Sequence, residues 1–105
     1  MKTWFERIVE AHLSVTTSVS HGKKLESDRY FVWQEDGSND LVADGAHAET
    51  SMTGTTDLFT KNEFDPWVTE LGESLSSHGI AWSLNSVQYE EETGFFHYEW
   101  VWGVA

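Results

Sequence analysis

The stretch Ile80–Trp102 reads IAWSLNSVQYEEETGFFHYEWVW, and its reading sets the architecture of the chain. Two runs of strand-favouring residues, about 80–89 and 95–102, flank the acidic turn Glu90-Glu91-Glu92-Thr93-Gly94 and predict a closing β-hairpin. A strand with one wet face alternates apolar and polar residues. The second run does so only in part, because Phe95, Phe96, Tyr98, Trp100 and Trp102 place aromatic rings on both faces. Its second face is therefore expected to be covered by other parts of the fold or by another subunit.

Upstream of the hairpin the punctuation of a helix is clear. Asp65 stands as N-cap and Pro66 at the first helical position, Trp67, Val68, Leu71 and Leu75 form an apolar stripe, and Gly79 ends the segment. Residues 46–60 are rich in Thr and small side chains, and Ala48, Thr50, Met52, Gly54, Thr56 and Leu58 would line one face of a long strand. Gly54 within it predicts a bulge or a close backbone approach. Arg29–Gln34 (RYFVWQ) is a second strand, followed by a polar turn over Glu35–Asp40 with Asp36-Gly37 as its local signal and a further Asp44-Gly45 pair. Residues 14–28 read as a connector with a candidate edge strand around Val15–Val19.

At the start of the chain Thr3 and Glu6 have the spacing of a capping box, and Phe5, Ile8, Val9 and Leu13 share one helical face with His12 between them. The order is α-β-β-α-β-β. Short connections favour hairpins, so the expected fold is α+β, with two helices on one face of an antiparallel sheet of four to five strands. A length of 105 residues predicts a single domain, 1–105. The sheet face opposite the helices, with its aromatic residues, is expected to need a partner.

Charge narrows the function classes. Eighteen acidic residues oppose six basic ones for a formal net charge of −12, and the stretch from Asn62 to Ala105 holds eight acids and no Lys or Arg. Nucleic-acid affinity rests on Lys and Arg neutralising phosphates, so ordinary DNA or RNA binding is not expected. No apolar run long enough to span a bilayer and no secretory signal is visible, which predicts a soluble protein that avoids anionic membranes.

Chemistry is thinly represented. The absence of cysteine removes disulfides and thiolate chemistry. His12, His21, His47, His78 and His97 never pair at metal-ligand spacing, so no metal is expected. Asp36-Gly37-Ser38-Asn39-Asp40 begins like a calcium loop but has Leu41 where Gly is needed and His47 where Glu is needed. No phosphate-cradling loop, nucleophile elbow or triad spacing occurs, and the expectation is a chain without enzymatic activity or cofactor. Aromatic residues are enriched at interface centres, and the remaining candidate is a contact surface. Its residues are the aromatic Trp33, Trp100 and Trp102 with the acidic loops Asp36, Asp40, Glu90, Glu91 and Glu92.

Five segments together carry a family resemblance: Tyr30–Asp36 (YFVWQED), the Ala43-Asp44-Gly45 turn, Phe59–Pro66 (FTKNEFDP), and the hairpin segments Ile80–Glu90 and Gly94–Trp102. The chain resembles the small tail-completion, tail-terminator or head–tail joining proteins of long-tailed phages and prophages of Gram-positive bacteria. The resemblance implies a homo-oligomeric ring, commonly a hexamer, on the head-proximal end of the tail tube. Such a ring stops tube growth and meets the head connector, with DNA passing by without specific binding; the acidic loops could face a lumen, the connector or the tube. It also implies a location in the virion, and in the host cytoplasm during assembly. The charge supports an alternative from another class, a small acidic inhibitor that imitates DNA and binds a basic host enzyme.

Overall fold

The computed structural model describes residues 2–38 and 52–105. Its elements are helix α1 (Trp4–Leu13), strands β1 (Val19–His21), β2 (Arg29–Ser38) and β3 (Met52–Thr60), helix α2 (Trp67–Ser77), and strands β4 (Ala81–Glu90) and β5 (Phe95–Val104). The strands form one sheet in the order β1-β2-β3-β5-β4. The fold is α+β with both helices on one side, as expected. The sheet is mixed, however, where a wholly antiparallel one was expected, because β1 pairs parallel to β2 with Val19 opposite Phe31. The connector 22–28 is the reason: it turns back at Gly22 (φ 75°) and carries the chain to the other end of β1 before β2 begins. The order is accordingly α-β-β-β-α-β-β.

Asp36-Gly37 does not make a turn. Both residues lie within β2, where the register to β3 shifts between Glu35 and Gly37. A β-bulge absorbs the extra residue, so the strand continues through the local turn signal. The Asp44-Gly45 turn, Asp40, His47, and Ala48 and Thr50 of the Thr-rich strand lie outside the described residues.

Both helices are held by the ends that the sequence specifies. Thr3 and Glu6 complete the capping box of α1. Before α2, Pro66 already has helical dihedrals and contributes no side-chain cap; the Asp65 carboxylate accepts the Trp67 N–H at 2.9 Å. Asp65 is buried, and it also accepts the Thr60 hydroxyl at 2.7 Å and a two-pronged hydrogen bond from Arg29, whose guanidinium lies 3.7 Å over the Trp67 ring. Burial alone would raise its pKa, but these donors outweigh burial and hold it below the ordinary value. At the other end, Ile80 N–H bonds to Leu75 O and Gly79 N–H to Ser76 O, with Gly79 at φ 71°. That is a Schellman ending, and it seats Ile80 in the core directly before β4.

The core lies between the helices and one sheet face. Register places Phe31 and Trp33 of β2, Leu58 of β3, and Tyr98, Trp100 and Trp102 of β5 on that face, under Ile8, Leu71 and Leu75. The α1 stripe is rotated from expectation. Ile8, Ala11 and His12 are buried, whereas Phe5 and Leu13 are each 48% exposed. Two contacts explain the rotation. Ala11 lets α2 approach closely enough for the Ser74 hydroxyl to bond Ala11 O at 2.6 Å, and His12 finds partners for both ring nitrogens.

The directions of those His12 bonds can be assigned. A carbonyl only accepts, so Nδ1–H donates to Ile8 O (2.7 Å), which leaves Nε2 as acceptor for the Thr56 hydroxyl (2.9 Å). The same Thr56 oxygen accepts Trp102 Nε1–H at 2.9 Å. One relay thus joins α1, β3 and β5 through buried groups. Beside it, a Cβ on Gly54 would lie 2.4 Å from both Gln34 O and the Trp102 ring, so the close approach predicted at Gly54 is present. Replacing Thr56 by Val keeps the shape but strands two buried nitrogens. Thr56→Val is expected to cost about 2–4 kcal/mol in urea unfolding at pH 7. A loss below about 1 kcal/mol would show that the relay contributes little.

Candidate functional site

The sheet is not equally covered across its width. The Schellman ending of α2 delivers the chain to β4, the outermost strand. The β4–β5 register pairs Trp82 with Trp102, Leu84 with Trp100, Val87 with Tyr98 and Tyr89 with Phe96, so these four β4 side chains stand on the helix side. A bulge between Leu84 and Ser86 keeps Leu84 and Val87 on one face despite their odd spacing. The Asn85 side chain bonds the Glu99 carboxylate at 2.8 Å.

Helix α2 packs against the first of the four. Trp82 donates its Nε1–H to Ser76 Oγ at 2.8 Å, and its ring lies against Gly72, where a Cβ would come within 2.7 Å. Trp82 is itself 39% exposed, and exposure rises along the row to 41%, 53% and 55% at Leu84, Val87 and Tyr89. The strand that carries them is ten residues long and contains no Lys, Arg or Pro. Natural edges are usually blunted by short length, Lys or Pro. On β4 the bulge is the one such device. Among the described residues an open backbone edge and an apolar row therefore coincide, and the turn Glu90–Glu92 closes the strand with Glu91 and Glu92 exposed.

The face away from the helices behaves differently from expectation. Its aromatic residues Tyr30, Phe59 and Phe95 form a small cluster with Val32, while Val101 on the same face is 37% exposed. The Lys24 ammonium sits 5.0 Å over the Phe59 ring and Lys61 sits 4.2 Å over Phe95. Farther along β5 the same face becomes polar at His97 and Glu99. Aromatic rings in need of cover are thus on the helix side of β4, and the far face requires no partner for its aromatics.

Positions of the candidate contact residues follow from this layout. Trp33, Trp100 and Trp102 are 6%, 1% and 3% exposed, so they belong to the core, with an edge of Trp33 flooring the cavity under α1. Both helices and one sheet face accommodate all three in a single core cluster. Asp36 is exposed in the β2 bulge and accepts the Thr53 hydroxyl at 2.7 Å. It lies at the opposite end of the sheet from Glu90, because Thr53 pairs with Gly103 and Glu90 with Phe95. Asp40 is outside the described residues. Glu90–Glu92 follow the strand that carries Leu84, Val87 and Tyr89, but Glu90 turns to the far face, where its carboxylate lies 3.7 Å from His97 Nδ1. Sequence reasoning missed Leu84 and Val87 because strict alternation sends them to opposite faces. The polar pair Asn85-Ser86 inside an apolar run was the available signal.

Two histidines sit in contrasting settings. Burial lowers the His12 pKa to about 4, against a smaller opposing effect of its bond to Ile8 O. His97 lies on the far face, stacked 4.3 Å from Phe59, with Nε2 2.8 Å from Asp57 Oδ1 and Nδ1 3.7 Å from Glu90 Oε2. The Asp57 hydrogen bond raises its pKa, burial opposes that, and the charges of Asp57, Glu90 and Glu99 add to the rise. Among the described residues, no group of three His, Asp or Glu side chains is placed to hold a metal ion, and no helix is long and apolar enough to cross a membrane. Comparison with protein-family models gives no match, and comparison with curated proteins gives none.

The two histidines predict opposite pH behaviour. His12 is neutral when folded and has an unfolded value near 6.5, so its contribution is complete above 6.5 and falls by about 1.4 kcal/mol per pH unit as pH drops toward about 4. The His97 contribution is complete below its unfolded value and is lost as pH rises through its raised folded value. In an NMR titration the His12 ring signals should stay unchanged from pH 7 to 5, and those of His97 should move above pH 6.5. Coincident titration of the two would contradict the assigned environments. For the edge itself, Val87→Ser should change unfolding free energy by less than about 1 kcal/mol, whereas Trp102→Ala should cost about 3–5 kcal/mol. Comparable losses at both positions would mean that the β4 row is structural.

Proposed function

We propose that the chain is a non-enzymatic assembly subunit, a tail-terminator or head–tail joining protein that forms a ring on a phage tail tube. The carrying observation is the ten-residue edge strand whose apolar row Leu84, Val87 and Tyr89 lies outside the helix layer. An uncovered row on an unpaired edge is costly to leave in water and is a template for pairing with another chain. The resemblance read from Tyr30–Asp36, Phe59–Pro66 and the closing hairpin supplies the setting. The acidic surface fits a wall that DNA slides past, since phosphates are repelled by carboxylates.

The expected partners are further copies of the chain, a tail-tube protein and a head-connector protein. Neither a cofactor nor a catalytic residue has a role in this reading. The test is genetic and visual. A phage lacking the gene should yield full heads with unattached or overlong tails under the electron microscope, and supplying the chain should restore joining. Normal virions without the gene would end the proposal. Steeply salt-dependent capture of a basic nucleic-acid enzyme, with virions unaffected, would favour the DNA-imitating alternative.

A further inference from the structure

Resting on the reading of the chain as a ring-forming subunit, we infer that the surface receiving the β4 edge is the outer flank of α1, above β1, on a second copy. The contact is then head-to-tail, between two different surfaces of the same molecule.

Two flanks of the molecule carry apolar rows. On α1, Phe5, Val9 and Leu13 recur every fourth residue, and Phe5 and Leu13 are exposed. The side of α1 that faces α2 is identified by Arg7, whose guanidinium donates to His78 O and Gly79 O, and by the Ser74 bond to Ala11 O. The Phe5–Val9 side is turned away from α2 and overlooks the β1 edge. There Phe5, Val9, Trp4, His21, Trp33 and Glu35 line an open cavity of about 360 Å³. One flank thus has a helix overhanging a strand of three residues, and the other has a strand of ten residues whose outer half no helix among the described residues covers. Each flank has what the other lacks.

Strand direction agrees with this pairing. β4 is antiparallel to β5, β5 to β3 and β3 to β2, while β1 follows β2, so β1 and β4 run in opposite directions. A copy displaced sideways without being turned over presents β1 antiparallel to β4. Height agrees as well. Through the registers, Leu84 lies level with Trp100, Thr56, Trp33 and then His21, and Val87 lies level with Tyr98, Leu58, Phe31 and then Val19. A symmetric β4-to-β4 pairing would join the edges but put no helix over either row. Head-to-tail contact places α1 of the neighbour over Leu84, Val87 and Tyr89, and it can close into a ring.

Complementation of two blocked variants tests this. Val87→Glu blocks one surface and Phe5→Glu the other, with Leu13→Glu as the replacement if circular dichroism shows that Phe5→Glu does not fold. By light scattering the wild type should assemble and each variant alone should be monomeric. Their equimolar mixture should give a one-to-one heterodimer through the one intact pair of surfaces. A wild type that stays monomeric at millimolar concentration, an α1 variant that assembles like wild type, or a mixture that stays monomeric would each overturn the inference. Its failure is distinguishable from failure of the function. Rings that obey the complementation but leave tail joining unaffected would reject the function alone, and a monomer that restores joining would reject the interface alone.

Discussion

The hydroxyl of Thr56 fixes where the helix layer sits on the sheet. It donates to His12 of α1 and accepts from Trp102 of β5 while lying on β3 itself, all inside the core. Buried polar groups are costly unless every member is satisfied, so this relay admits one placement of α1 and penalises sliding. Placement of α2 then follows, because Arg7 and Ala11 of α1 hold its C-terminal carbonyls and its Ser74. With α1 over β1 and β2 and α2 beside it, Trp82 is the last β4 side chain that a helix reaches. The uncovered edge is a consequence of the relay at the centre.

The few cations of this chain are largely committed to holding it together. Arg29 locks Asp65 at the start of α2, and Arg7 completes the end of α2. Lys61 bonds Thr93 O beside the acidic turn, and Lys24 covers Phe59. These contacts engage four of the six basic residues, and Lys2 pairs with Glu10. The surface offered to a phosphate backbone is therefore more acidic than the net charge alone conveys. An assembly role that tolerates passing DNA, and one that imitates DNA, both draw on that property; the apolar edge is what favours the first.

Much of the fold was legible in local chemistry. The capping box at Thr3 and Glu6, the carboxylate at Asp65 with Pro66 after it, and the stop at Gly79 act over a few residues, and each appears where the pattern predicted it. The closing hairpin was likewise visible, since its turn is specified by Glu90–Gly94 with Gly94 at φ 75°. Readings that depended on distant partners fared worse. Hydropathy ranks Phe5 and Leu13 above Ala11 and His12, but Thr56 and Ser74 reverse that order by supplying hydrogen bonds and close approach. The turn signal at Asp36-Gly37 yielded to pairing with β3.

The sequence by itself determined the number and ends of the helices, the closing hairpin, and a strongly acidic charge balance, because these rest on short-range geometry and on composition. Tertiary structure alone decided which aromatics are core and which edge is open. That choice depends on how many strands two short helices can cover and on the bulge that turns Leu84 and Val87 to one side. Neither quantity exists until the strands are ordered, and so Trp33, Trp100 and Trp102 moved inward while the candidate contact surface moved to β4.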